Sequence, residues 1–540
     1  LHDALPISQD VAQAQTQTQQ LQTLLSSRRR DEAAVVVQQT TEATQEAVAK
    51  PEVIRVAAAI NAGISRRLAD LVQQGDDVSG RQSQVDQRLE QLTERMRGIR
   101  QQLGIAGFSD AMGPILLNER RNLPDVRQYQ RNAGERQQHI IQARLEQYQA
   151  EEYLRRTRAV EDNLKDMAAT FDSQWSESQR QTVIAELRTL LADRQQLLEK
   201  LSSGYASLIS QLVALDDTQR KLSEQAEQYG ALLDKYLLWI RSSPPLNAEW
   251  LRGLEQALKW LTQPTHWQVV GQNLLQGADR HLASTILGAL LLLGLLYWRR
   301  ALIRGLGEGV DTIGDVREDR FWLSVRALGI TLLLALPWPW LMVGLAGLLS
   351  GATAVDPAGT DFMRGLSQGL VAGAFLTVNI TFPLQLCRPR GMAITHFGWS
   401  EAGCRLLRRH LNWFLWIGPV STVLVRLCEM QPDTLYSDTL GRLVFCIGVL
   451  AMTVLLWRVL DPRESLLAGL AAGRVGATWR LRYLWYPLIV GVYVLMILLA
   501  LSGYYYTALQ LRERMVLTGW LLMGAVLLIN LFLRGLNIGQ

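Results

Sequence analysis

Four cysteines and six histidines are the residues best suited to metal or nucleophilic chemistry in this 540-residue chain, and their spacing supports neither. Cys387, Cys404, Cys428 and Cys446 make no CxxC or Cys/His pattern of zinc-ligand type. All four fall in or beside apolar stretches of the second half, so no disulfide framework holds the first half, and they read as small buried residues. His396 and His410 flank one loop with no third ligand or nucleophile at a recognisable spacing, and His139 stands in a polar helical stretch. The residues therefore imply no enzyme, no metal and no cofactor.

Charge inside apolar segments is the other feature that carries chemistry, because an ionisable group within a bilayer is costly and needs a reason. Arg326, Arg364, Arg426 and Arg442 lie within the apolar spans of the second half. The last three fall near one expected membrane boundary, where a long side chain reaches the headgroups, and snorkelling is the reading adopted for them; Arg326 lies close to the opposite boundary. No Asp or Glu falls mid-span, so the acidic relay of an ion-coupled transporter is missing. One span carries Gly365, Gly369 and Gly373, continued at the same spacing by Thr377 and Thr381, a row that lets a second helix approach closely.

The elements that hold these residues are seven apolar spans of roughly 20 residues, the length a helix needs to cross a bilayer. They are expected at Leu282–Trp298, Phe321–Ser350, Phe362–Leu386, Leu411–Cys428, Leu440–Leu460, Tyr483–Leu501 and Met515–Leu533. Pro337 and Pro339 should kink or unwind the second. An eighth crossing around Leu466 to Ala472 is an alternative against which the arginine pattern argues. Arginines crowd alternate loops: Arg299, Arg300, Arg304, Arg317 and Arg320; then Arg388, Arg390, Arg405, Arg408 and Arg409; then Arg458, Arg463, Arg474, Arg480 and Arg482. Cationic loops stay in the cytosol, so the first 280 residues are expected in the periplasm of a bacterial inner-membrane protein. Residues 1–280 hold 33 basic and 36 acidic side chains, and residues 281–540 hold 22 and 14. The basic pI therefore comes from the membrane half, and no basic stripe with interleaved aromatics marks a nucleic-acid partner.

Residues 9–245 are rich in Gln, Glu, Arg, Ala and Leu and predict long helices, broken near Pro51, Gly75–Asp77, Gly104–Pro114, Pro124 and Pro244–Pro245. A heptad seam starts after Ser178, which with Gln181 offers a capping box. One row runs Leu187, Arg194, Leu201, Leu208, Leu215, Leu222, Tyr229, Tyr236; the other runs Ile184, Leu191, Leu198, Tyr205, Leu212, Gln219, Ala226, Leu233. Asp216–Asp217 offers a break into a helical hairpin, and packing within one protomer or between protomers stay equally open. Residues 246–280 carry Trp250, Trp260 and Trp267 on a segment with an apolar face, read equally as an interfacial amphipathic helix or as a cap on the base of a stalk. Residues 1–8 (LHDALPIS) read as translated sequencing adapter, and the last span, running to Gln540, suggests a fragment. The fold class is thus all-α: an elongated helical, coiled-coil domain followed by a transmembrane bundle, residues 281–540.

Four stretches in order carry a resemblance: NAEWLRGLEQALKWL from Asn247 with TQPTHW after it, HFGWSEAGCRLLRRHLNWFLW from His396, RLRYLWYPL from Arg480, and GYYYTALQLRERM from Gly503. Together they resemble the large MscS-type mechanosensitive channels. The resemblance implies a periplasmic helical domain, extra transmembrane helices, and then a pore and cytoplasmic β-domain that this sequence lacks. It further implies a homoheptamer gated by membrane tension that protects against hypo-osmotic shock, with lipids as partners. Arg405, Arg408 and Arg409 are candidate lipid-headgroup contacts, against the plainer reading of topology determinants. The rival classes are a secondary transporter and a periplasmic coiled-coil structural protein that uses the bundle as an anchor.

Overall fold

A computed structural model describes residues 4–106, 109, 111–124, 129–130, 133–158, 164, 176–307, 321–350, 357–461 and 482–539. Among them all regular structure is helical, and the chain divides into two compact units, residues 1–107 with 118–234 and residues 108–117 with 235–540.

In the first unit, α1 (Ala4–Glu46) and α2 (Glu52–Ala106) fold back on each other through Lys50–Pro51. Thr40 Oγ1 meets Ser65 Oγ at 2.6 Å and Arg30 meets Asp76 at 2.9 Å, an antiparallel register. After α3 (Met112–Arg121), whose residues up to Leu117 belong to the second unit, come α4 (Ala133–Thr157) and α5 (Glu177–Leu237). α5 runs parallel to α2: Asn61 donates to Leu190 O at 2.8 Å, and Gln82 donates to Thr218 Oγ1 at 2.8 Å. α4 runs antiparallel to it, with Arg136 on Asp216 at 2.7 Å and Ser202 on Glu151 at 3.4 Å. The heptad seam is buried inside the chain, from Leu187 through Leu201, Leu208, Leu215 and Leu222 to Leu233. Arg194, the polar residue in that row, is accommodated by donating to Asn61 Oδ1 and Ala57 O, both at 3.0 Å.

Three local expectations are corrected here. Gly75–Asp77 does not interrupt α2, because one mid-helix glycine costs only about 1 kcal/mol against a long packed face. Asp216–Asp217 does not break α5; Arg136 satisfies the first, and Arg220 and Lys221 the second. The capping box lies two residues earlier than expected. Ser176 Oγ accepts from Gln179 N at 3.3 Å while Gln179 Oε1 accepts from Ser176 N at 3.0 Å.

In the second unit, α6 (Ala248–Thr262) and α7 (Pro264–Arg280) split the expected single interfacial helix at Gln263, because Pro264 lacks the N–H to continue it. The spans follow as α8 (Leu282–Gly307), α9 (Phe321–Ala335), α10 (Pro337–Ser350), α11 (Pro357–Leu386), the short α12 (Met392–Thr395), α13 (Glu401–Glu429), a helical turn at Thr434–Tyr436, a π-helical turn at Ser437–Gly441, α14 (Arg442–Val459), α15 (Arg482–Leu501) and α16 (Tyr505–Gly539). Among the described residues six helices are long and apolar enough to cross a membrane, or seven where α9 and α10, bent by 49°, count together as one span. The chain is a multi-pass membrane protein. Several helices outrun their apolar cores, α13 by ten residues at its start, because polar flanks of good helix formers continue the hydrogen-bond ladder. The segment Leu466–Ala472 and Arg317, Arg320, Arg463, Arg474 and Arg480 lie outside the described residues.

Two ends of the bundle follow from this order. Residues 235–281, 429–441 and 501–505 gather at what we term the linker end. Arg299, residues 388–409 and Arg458 mark the arginine end.

Candidate coupling site at the linker end

At the linker end the segment that leads into the bundle is stitched to three membrane helices. Ser242 N and Ser243 N both donate to Gly503 O at 3.1 Å, Tyr506 N donates to Ser242 Oγ at 3.1 Å, and Thr507 Oγ1 donates to Leu238 O at 2.9 Å. Gly503 turns the chain from α15 into α16 with φ +100°, and a Cβ there would sit 2.9 Å from Ser243 O, so both the backbone and the approach demand glycine. A Cβ on Gly113 would lie 1.8 Å from Arg241 O, so α3 also touches this linker at glycine distance.

Arg442 closes the site and overturns the snorkelling expectation. Its residue is 1% exposed, and its guanidinium donates to Ala500 O at 2.5 Å, Leu501 O at 2.6 Å and Pro244 O at 2.8 Å. The carbonyls at the end of α15 lack a further full helical turn, Ala500 O taking only a long 3.4 Å bond from Gly503 N, and a planar five-donor cation completes them. Arg442 therefore joins the fifth span, the end of the sixth and the linker through one side chain. Asp438, on the π-helical turn, takes Ser243 Oγ at 2.7 Å, while its carbonyl takes Trp250 Nε1 at 2.9 Å. Widened turns of this kind re-aim side chains and are frequent at functional sites.

The three tryptophans singled out in the sequence pack against this end. Trp260 stacks on Tyr436 at 4.3 Å and meets Phe362 edge-on at 5.3 Å; Trp267 meets Phe362 at 5.6 Å and keeps 46% of its surface exposed. His266 stacks on Phe362 at 4.9 Å. The aromatic cluster thus ties α6 and α7 to the first turns of α11. α7 also closes on α10, where a Cβ on Gly277 would stand 2.5 Å from Leu348 O.

The glycine row faces α13. Cβ atoms placed on Gly365, Gly369 and Gly373 would lie 3.1 Å from Leu427 O, 2.7 Å from Val423 O and 2.8 Å from Val423 Cγ2. The row ends differently. Thr377 Oγ1 returns to Gly373 O on its own helix at 2.7 Å, whereas Thr381 Oγ1 is shared between Thr377 O on its own helix at 2.8 Å and Ala335 O on α9 at 2.9 Å. In an unbroken helix Ala335 O would accept from residue 339, but Pro339 has no N–H. The shared Thr381 hydroxyl stands where that donor is missing, so the neighbouring helix supports the bend at Pro337–Pro339.

The remaining sequence candidates separate. Arg364 pairs with Asp361 at 3.2 Å and stays exposed; Arg426 is held by Glu429 at 2.9 Å and by Glu513 of α16. Arg326 is exposed at the arginine end. Arg405 and Arg409 are exposed there too, Arg405 paired with Glu401 at 3.0 Å, while Arg408 is half-buried. Cys387, Cys404 and Cys428 are buried free thiols, and Cys446 is half-buried. The sequence does not assemble the linker-end site because its members are scattered, Leu238 and Thr507 being 269 positions apart; the isolated Arg442 in an apolar run and the tryptophans of residues 246–280 were the available signals.

Residues 282–540 match the family described as mechanosensitive ion channel inner membrane domain 1. The chain is similar to the Escherichia coli K12 miniconductance mechanosensitive channel MscM, 26% identical over 405 residues, 73% of this chain and 35% of that protein. It is similar to the E. coli K12 mechanosensitive channel MscK at 23% identity over 526 residues, 92% of this chain and 43% of that protein. An uncharacterised MscS family protein of Haemophilus influenzae is 21% identical over 475 residues, 84% of this chain and 39% of that protein. The chain thus spans about two fifths of the length of the curated relatives it matches.

Proposed function

We propose, from the match of residues 282–540 to the mechanosensitive ion channel inner membrane domain, that this chain is the non-pore, tension-sensing portion of a large MscS-type channel. In this reading residues 9–245 stand in the periplasm and the arginine end of the bundle in the cytosol. The whole protein is a homoheptamer, assembled through a pore segment elsewhere in its sequence, and it protects cells against hypo-osmotic shock.

The match of the entire membrane half to that domain family is the observation that carries the reading. The alternation of arginine-rich and arginine-poor loops supports the orientation. Physical support comes from the bundle itself. Tension does work only on a difference in lateral area, tilt or hydrophobic length between two states. The bent pair α9–α10, supported by the shared Thr381 hydroxyl, and the close α11–α13 seam are the places where a change of tilt in this bundle would act. The linker-end site then transmits such a change: six hydrogen bonds and Arg442 tie residues 238–250 to α14, α15 and α16.

The test uses cells that lack their own mechanosensitive channels and express the whole protein that carries this chain. After a shift to dilute medium, survival well above the empty-vector control is expected. Lysis equal to the control refutes the proposal.

A further inference from the structure

The last span is held differently from the others. α9, α11, α13, α14 and α15 stand side by side, each touching the next, and α16 crosses back over them in the reverse order. Its first turns pack on α15 and α14, where Tyr505 and Ala508 join Tyr493, Met496 and Ala500, and Tyr505 meets Phe445 edge-on at 5.4 Å. Arg512 lies over the Phe445 ring at 5.3 Å, and Glu513 pairs with Arg426 of α13. Trp520 then meets Phe375 of α11 at 5.4 Å. Beyond it Met523, Leu527 and Leu531 reach the cluster that holds Ala327 and Ala335 of α9. At the far end Arg534 Nε donates to Ser324 Oγ of α9 at 2.5 Å and Arg534 Nη1 donates to His396 O at 3.3 Å. A Cβ on Gly535 would lie 3.6 Å from Phe321 Cε2, so this end touches the first turn of α9.

Polar contacts fix both ends of α16, while its apolar 18-residue window contains no buried residue. The stretch Met515–Leu533 has Arg512, Glu513 and Arg514 before it and Arg534 after it, so the charges mark its two boundaries. Upright, these 19 residues would reach about 28 Å, close to the hydrocarbon thickness of about 30 Å. Leaning across three neighbours spaced about 8–10 Å apart, they reach less, and a bilayer opposes such a mismatch. The near end offers a pivot: Gly503, at φ +100°, is anchored by Ser242 N and Ser243 N. We propose that α16 is a strap pivoting at Gly503 and held across the bundle by two latches, Arg426–Glu513 near the pivot and Arg534–Ser324 at the far end. When the latches open, α16 swings upright and its far end leaves α9. The strap requires that these helices cross a bilayer and does not depend on the channel reading.

Pulsed electron double resonance on the full chain in lipid nanodiscs reads the swing. Spin labels are placed on Leu528→Cys of α16 and Leu450→Cys of α14, both exposed positions, with half-buried Cys446 replaced by alanine and the three buried thiols left in place. A swing of about 10° acting over the roughly 35 Å from Gly503 to Leu528 moves the α16 label by about 6 Å. With both latches intact a single distance is expected. Glu513→Gln with Arg534→Gln should populate a second distance shorter by about that amount, as the far end of α16 moves from α9 toward α14, and each single change should populate it less. The control Arg514→Gln removes an exposed charge from the turn that carries Glu513 and should keep the single distance. The single changes decide the outcome if the glutamine pair does not fold. A distance that stays unmoved or lengthens in these variants overturns the proposal. An equal shift in Arg514→Gln overturns it as well, because general loosening would then account for the movement.

Discussion

Replacing Arg442 by methionine isolates the linker-end site. The methionine keeps most of the volume and the helix propensity of α14 and removes every donor. Three carbonyl oxygens, Ala500, Leu501 and Pro244, lose a charge-assisted bond. Each such bond is worth about 1.5–3 kcal/mol, but the variant also avoids burying a cation, so about 1 kcal/mol per carbonyl is a fair net figure. The total of about 3 kcal/mol corresponds to a shift of about a hundredfold in the equilibrium for opening the linker. Hydrogen exchange in lipid nanodiscs reads it directly, because the Ser242 and Ser243 amides are protected by Gly503 O and exchange only when the linker lifts away. Their protection should fall by about two orders of magnitude while the amides of α11 and α13 are unchanged. Arg442→Lys should fall between, since an ammonium cannot span three carbonyls as a planar fork does. Unchanged protection at Ser242 and Ser243 would refute the clamp, and a uniform loss over the whole bundle would mean that Arg442 is a core residue and no more.

Two further outcomes follow from single contacts. Thr381→Val removes the hydroxyl shared between Thr377 O and Ala335 O and should cost about 1 kcal/mol, with Thr381→Ser recovering most of it; equal thermal midpoints in detergent for the valine variant and wild type would show that the bend needs no help. In the first unit, burial and then the Glu119 carboxylate, 3.1 Å away, push the Tyr229 phenol well up from its ordinary value of 10.0. Because the folded state holds this proton more tightly than the unfolded state, the contribution is intact below pH 10 and drains away as pH rises beyond it. Helical signal followed against pH should therefore fall at higher pH in Tyr229→Phe than in wild type, and coincident curves would remove Tyr229 from the account.

The sequence by itself determined the class, the order of the apolar helices, the bend and the packing face, because each is written locally. A run of apolar residues has no stable alternative in lipid to a helix, a proline deletes a specific hydrogen bond, and glycines four apart must share one side. Helical periodicity placed the seam Leu187 to Leu233 in the same way, although its partner was left open. Tertiary structure alone supplied that partner, since a heptad row specifies that something packs on it and not what: α2 and α4 of the same chain cover it. The same limit governs Arg442. One sequence records a charge in an apolar run, and the depth of the run suggested escape to the headgroups. Only the fold brings Pro244, from nearly 200 positions away, and the helix-end carbonyls of Ala500 and Leu501 to the same point, and that juxtaposition turns a costly cation into the residue that joins the linker to the membrane helices.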